Sequence, residues 1–187
     1  MRIPQFIARV ADGDFAGAWA ILSADNPLPA VCGRVCPQES QCQAVCVRGK
    51  KGESVAIGRL ERFVADWHRT HPETNFLPRP EEKGKKVAVV GSGPAGLACA
   101  GELARMGYSV TVFEALHTAG GVLASGIPAF RLPKSILSEE ITALKKLGGR
   151  YEETRQFTLP DGSARGLVFC KKISQTPTVY PRNGGKI

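Results

Sequence analysis

Lys86-Val87-Ala88-Val89-Val90, Gly91-Ser92-Gly93-Pro94-Ala95-Gly96 and Ser109-Val110-Thr111-Val112-Phe113-Glu114 decide how this chain is read. The first is a short apolar run of the kind that a buried parallel strand requires. The second is a glycine-rich turn that leads into an alanine-rich segment running to about Met106, and the third is another apolar run ending in a carboxylate. Strand, turn, helix and strand in that order predict a βαβ unit. The glycines suit a bound dinucleotide. Gly91 permits a sharp turn, Gly93 lets backbone N–H groups approach a pyrophosphate, and Gly96 lets helix and strand pack closely. The helix start, at Pro94 and Ala95, turns partial positive charge toward phosphates. Glu114 follows Gly96 by 18 residues. Near that spacing an acidic residue accepts hydrogen bonds from both ribose hydroxyls, and it would repel a 2′-phosphate.

The βαβ unit alone admits either NAD(H) or FAD. The loop that follows favours FAD. Gly120-Gly121-Val122 can approach the ribose–phosphate side of an extended dinucleotide, and Arg131, in Gly126–Lys134, can reach the pyrophosphate or the flavin end. Residues 86–148 therefore read as a partial Rossmann-like FAD-binding domain.

Upstream, residues 1–78 read as helices joined by loops. Phe6, Ile7 and Val10 recur at helical spacing, Asp14 can cap a second helix, and Asn26-Pro27-Leu28-Pro29 is a breaker. Ser54 can cap a later amphipathic helix with Leu60, Phe63, Val64 and Trp67 on one face, ended by His71-Pro72. The charged stretch 79–85 reads as a linker. The fold class is thus α + α/β: an N-terminal helical domain, then the βαβ unit. Residues 149–187 carry no strong pattern beyond a turn at 159–163 and a short strand at 167–169.

Between the helices lie Cys32, Cys36, Cys42 and Cys46, within fifteen residues. No secretory signal precedes them, so a cytoplasmic setting is expected and metal or redox chemistry is favoured over disulfides. The pattern C-x3-C-P-x4-C-x3-C suits an iron–sulfur cluster, which needs several soft ligands together. Zinc is the rival, but its usual C-x2-C pairs are missing, and reduced buried thiols are the plain alternative. Cys99 and Cys170 read as ordinary thiols. No Ser-His-Asp or Cys-His arrangement occurs, so no catalytic acid or base is assigned.

The chain has 187 residues, 43% of them hydrophobic, and a formal net charge of +8. No apolar run approaches the ~20 residues that span a bilayer. The basic groups at Arg48/Lys50/Lys51 and Lys83/Lys85/Lys86 lack interleaved aromatics, so nucleic acid is not the expected partner.

Taken together, Asn26 through Cys46, Ala56 through Phe63 and Gly91 through Lys134 resemble the glutamate synthase small (beta) subunit family. Relatives of that family include the large subunit of NADH-dependent ferredoxin–NADP oxidoreductase and the N-terminal part of dihydropyrimidine dehydrogenase. The resemblance implies a helical domain with [4Fe–4S] clusters, an FAD domain, and electrons passing from NADPH through FAD to the clusters. It implies cluster ligands at Cys36, Cys42, Cys46 and Glu61, with Cys32 a substitute. It implies a residue beside the flavin at Val35, and FAD contacts at Gly91, Ser92, Gly93, Pro94, Ala95, Gly96, Glu114, Gly120, Gly121, Val122 and Arg131. The expected partner is a glutamate synthase large subunit or another redox subunit. The family also carries a further cysteine set upstream and an NADPH fingerprint downstream. On that comparison the chain is expected to be truncated at both ends, with a divergent tail at 149–187. The alternative function is a folded or partner-binding module without turnover.

Overall fold

The computed structural model describes residues 1–72 and 81–146, and the backbone of three short strands at 149–151, 155–158 and 164–167. The N-terminal part holds helices α1 (Ile3–Ala11), α2 (Phe15–Asp25), α3 (Pro29–Val35) and α4 (Ile57–Thr70). Two 3-10 turns, Gln38–Ser40 and Val47–Lys50, carry the chain between α3 and α4. Asp14 caps α2 as expected, its Oδ1 accepting from the Gly17 N–H at 2.8 Å. Pro29 occupies the first turn of α3, where no amide donor is missed.

Two details of α4 correct the sequence reading. The helix begins after Ala56, and no side chain, Ser54 included, caps it. Its buried stripe is Ile57, Gly58, Glu61, Val64 and Ala65, while Phe63 lies exposed at the edge. Phe63 and Trp67 instead pack edge-on against Phe15, with centroids 5.1 and 5.6 Å away. The stripe is rotated because Glu61, polar by type, has partners inside the fold.

The second part runs β1 (Lys86–Val90), α5 (Pro94–Arg105), β2 (Ser109–Phe113), α6 (Val122–Ser125), α7 (Lys134–Lys146) and β3 (Gly149–Tyr151). β1 pairs parallel with β2, Lys86 opposite Ser109, and β2 pairs parallel with β3, Val110 opposite Gly149. The unit therefore extends one strand past the expected boundary at Gly148. β4 (Arg155–Thr158) and β5 (Ala164–Leu167) pair antiparallel. The turn at 159–163, residues 168–169 and Cys170 lie outside the described residues, as do 79 and 80 of the expected linker.

Residues 83–85 are not a free tether. The Lys83 N–H donates to the Gly107 carbonyl at 2.9 Å, and the Ser109 N–H donates to the Lys85 carbonyl at 3.0 Å.

One hydrophobic cluster crosses from part to part. Leu28, Ala30, Val31 and Ala65 pack with Leu97, Leu123, Leu132, Ile136, Leu137 and Leu144. Polar contacts add to this seam. Arg69 forms a paired bridge to Glu139, at 2.5 and 3.0 Å, and Arg105 donates to the Ala24 carbonyl at 3.0 Å. A cavity of about 320 Å³ lies along it, lined in part by Trp19, His68, Arg105 and Glu140.

Glu140 accepts from the Ala30 N–H at 3.1 Å, and burial pushes its carboxyl up to about 7. The fold thus favours the neutral acid. Its contribution is full below the ordinary carboxyl range and is lost as pH rises through about 7. Glu140→Gln is expected to stabilise the chain at pH 8 by about 2 kcal/mol, the gain vanishing toward pH 4.5. Urea unfolding at the two pH values checks this.

Candidate functional site

The glycine turn sits between β1 and α5, with Gly93 as the N-cap and Pro94 in the first helical turn. A Cβ at Gly96 would lie 1.9 Å from the Gly91 carbonyl oxygen, so no larger residue fits there. Above Gly91 and Gly93 the space is open: a Cβ on either would meet nothing within 4 Å. The second glycine pair comes to the same place. Gly121 has φ +52°, and a Cβ on it would meet the Gly93 Cα at 2.9 Å. The two loops, 28 positions apart at Ser92 and Gly120, therefore form one rim. Val122 stands half exposed at the start of α6.

Glu114 is where sequence and structure differ in detail. It is buried, with 6% of its surface exposed. Its Oε2 accepts from the Ser92 N–H at 2.9 Å and from the Ser92 hydroxyl, and its Oε1 accepts from the Leu116 N–H at 2.9 Å. Burial opposes its charge, but bonds from the Ser92 hydroxyl and from the Leu116, Ser92 and Ala115 amides outweigh that and hold its carboxyl below the ordinary range. The ionised form is thus the resting form. Ser92, expected only as a cofactor contact, is fully buried and ties β1, β2 and the Gly120 loop together.

Arg131 is exposed, and its Nη2 donates to the Val35 carbonyl at 3.4 Å. Two residues expected near a flavin, from different parts of the chain, thus meet at the seam, one residue before Cys36.

Around the cysteines, Glu61 is buried and held at both oxygens. Asn26 Nδ2 donates to Oε1 at 2.9 Å, and Gln38 Nε2 donates to Oε2 at 3.0 Å. The Gln38 amide lies in a notch that only Gly58 leaves open. Burial raises the Glu61 carboxyl pKa against the bond from Asn26. Burial pushes the Cys32 thiol up to about 11, and it raises Cys36, helped by the charges of Glu61 and Cys42. Cys46 is lowered, first by the Val55 backbone amide and then by those of Arg48 and Gly49. Sequence reasoning missed Asn26 and Gln38. An amide side chain carries no signal until its carboxylate partner is known to be buried.

The donor chemistry suits an iron–sulfur cluster: thiols concentrated in one loop, with one thiolate favoured by backbone N–H groups. The donor count does not close. Among the described residues, no three of His, Cys, Asp and Glu are placed to enclose a metal ion. Cys36, Cys42, Cys46 and Glu61 are not brought onto one centre. The 3-10 turn Gln38–Ser40 separates Cys36 from Cys42, and Glu61 is engaged by Asn26 and Gln38.

Residues 1–73 match the family described as dihydropyrimidine dehydrogenase domain II, 4Fe-4S cluster. Residues 89–136 match the NAD(P)-binding Rossmann-like domain. The chain pairs an iron–sulfur-type domain with a Rossmann-like one. Over 144 residues it is 42% identical to the NAD-dependent dihydropyrimidine dehydrogenase subunit PreT of Escherichia coli K12, covering 77% of this chain and 35% of PreT. It is 42% identical to the NADP(+)-dependent formate dehydrogenase subunit beta of Moorella thermoacetica, covering 78% and 23%. It is 40% identical to the NADPH-Fe(3+) oxidoreductase subunit beta of Geobacter sulfurreducens, covering 78% and 22%. The chain thus spans between about a fifth and about a third of these relatives. They are oxidoreductase subunits of several kinds and do not single out glutamate synthase. No helix among the described residues is long and apolar enough to cross a membrane.

Proposed function

We propose that this chain is the flavin and iron–sulfur part of an NAD(P)H-dependent oxidoreductase subunit, working with a redox partner subunit of the kind that a glutamate synthase large subunit represents. The observation that carries the reading is the seam contact between Arg131 and the Val35 carbonyl, which sets the Rossmann-like part beside the cysteine loop. The paired glycine loops support FAD, an extended dinucleotide, as the ligand.

FAD, when bound, accepts a hydride as an electron pair and releases electrons singly. The residues of this chain supply binding and orientation. The turn at Gly91–Gly96 and the start of α5 offer N–H groups and partial positive charge to the pyrophosphate. Glu114 stands at the ribose edge, Gly120, Gly121 and Val122 form the opposite lip, and Val35 and Arg131 border the flavin end. Cys36, Cys42, Cys46 and Glu61 would supply ligands to iron, with Cys32 as a substitute donor. Relatives named as subunits support a partner.

Anaerobic purification with a visible spectrum and flavin, iron and sulfide assays tests this. Yellow-brown protein containing all three is expected. Colourless protein that takes up no FAD on titration overturns it. A second reading, NAD(P)H at the glycine rim, is favoured by the match to an NAD(P)-binding domain. Competition between FAD and NADH separates the two. Dye reduction driven by NADPH would reject a module without turnover.

A further inference from the structure

We infer that residues 45–51 form a docking surface for an acidic face of a partner protein. Arg48, Lys50 and Lys51 would meet its carboxylates, and Val45 and Val47 its apolar groups. That the partner is a redox subunit rests on the function proposed above.

Val45 and Val47 are 79% and 74% exposed, and among the described large apolar residues only Phe130 is more so. Single exposed apolar residues are ordinary, but an apolar patch rimmed by polar groups marks a contact surface. The two valines flank Cys46, and Arg48, Lys50 and Lys51 follow at once, all exposed. Glu53 is the only carboxylate between Gln41 and Ala56. Among the described residues none of the three cations forms a salt bridge, whereas Arg2, Arg34 and Arg69 each grip a carboxylate. The second basic group is different, because Lys83 lies over the Tyr108 ring at 4.9 Å. The backbone of the loop is set before any partner arrives. The Gly49 N–H donates to the Cys46 carbonyl at 2.9 Å, and the Lys51 N–H to the Arg48 carbonyl at 3.0 Å. Docking therefore does not first have to order it. Arg48 and Lys51 share a recess of about 330 Å³ with Val47 and Gly52. A carboxylate on an apolar stem suits that lining, with cations for the charge and a valine for the stem. Nucleic acid suits it less, since the loop has no aromatic ring on which a base could stack. Opposed charge guides and orients the encounter, and apolar contact holds the complex. A protein docked here comes to rest against the thiol loop.

The test titrates the purified full chain into labelled poly-L-glutamate and a labelled glutamate–tyrosine copolymer, followed by fluorescence anisotropy at low and high salt. The chain is expected to bind both, the copolymer about tenfold more tightly, with affinity falling as salt rises. Reversing the patch, as Arg48→Glu, Lys50→Glu and Lys51→Glu together, should weaken both by more than about thirtyfold at low salt. Reversing Lys83, Lys85 and Lys86 to Glu makes the same change in net charge elsewhere and should cost less than about threefold. Val45→Ser with Val47→Ser should abolish the copolymer's advantage and leave polyglutamate binding unchanged. That pair is the independent arm if the reversed patch does not fold. Equal losses in the two charge reversals overturn the inference, because net charge alone is then at work. A wild-type chain that binds neither polymer also overturns it. So does one that binds duplex DNA more tightly than the copolymer through the same three cations. Flavin and iron assays on the same preparations keep the two readings apart. Protein that holds both cofactors but binds without regard to the patch fails this inference alone. Protein that holds neither, yet binds through the patch, keeps the surface and loses the redox partner.

Discussion

Gly96→Ala is expected to cost about 3 kcal/mol of stability and to weaken dinucleotide binding by more than about tenfold. The added Cβ would lie 1.9 Å from the Gly91 carbonyl oxygen and 3.0 Å from its carbon. Backbone, not a flexible side-chain tip, stands in the way, so α5 must move from β1 or the turn must open. Either movement displaces the N–H groups of the rim. At this chain length the loss corresponds to about 8 °C in Tm. Thermal unfolding followed by circular dichroism, together with FAD titration, measures both effects. Gly93→Ala is the contrast. Its Cβ would meet no protein atom within 4 Å, so any loss there should fall on ligand binding, with Tm almost unchanged.

Asp66→Ala is expected to be nearly as damaging, by about 3 kcal/mol, for a different reason. Arg34, on α3, is 5% exposed at its side chain and grips Asp66 on α4 with one nitrogen at 2.6 and 2.8 Å. Arg62 and Arg69 also approach Asp66, at 3.6 and 3.3 Å. Removing the carboxylate leaves a buried guanidinium whose remaining bond is to the Ala30 carbonyl, with two further cations nearby. Breaking a buried pair from one side is costly because the surviving charge stays desolvated. Because α3 leads into Cys36, the loop of thiols should loosen as well. A lower urea midpoint and faster modification of Cys32 by a thiol reagent are the measurements. Asp66→Glu, which restores the charge, should recover a good part of the stability.

The βαβ unit was legible because its signals are local. An apolar run, a glycine turn and a carboxylate fix strand, turn and strand without reference to the rest of the chain. The Asp14 cap was legible for the same reason. The buried face of α4 was not, since Glu61 counts as polar until Asn26 and Gln38, distant in sequence, are seen to satisfy it. β3 was missed because three residues carry too little pattern, and it is defined by its pairing with β2. Within the site, the two glycine pairs are local signals, whereas the burial of Glu114 is not. Its burial arises from Ser92 and Leu116, whose amides carry no sequence signal. Arg131 was expected at the pyrophosphate or the flavin end, and its contact with the Val35 carbonyl depends on how the two parts dock.

The chain's two indoles, Trp19 and Trp67, both belong to the helical part. Each lies flat on an imidazole: Trp19 on His68, with centroids 4.0 Å apart, and Trp67 on His71, at 4.3 Å. All tryptophan emission therefore originates on one side of the seam, and Trp19 borders the cavity where the parts meet. The glycine rim is optically silent in that channel. Fluorescence will thus report the helical part alone, while circular dichroism reports the helices of both parts. An unfolding curve that differs between them would date the release of one half relative to the other, with no engineered label needed.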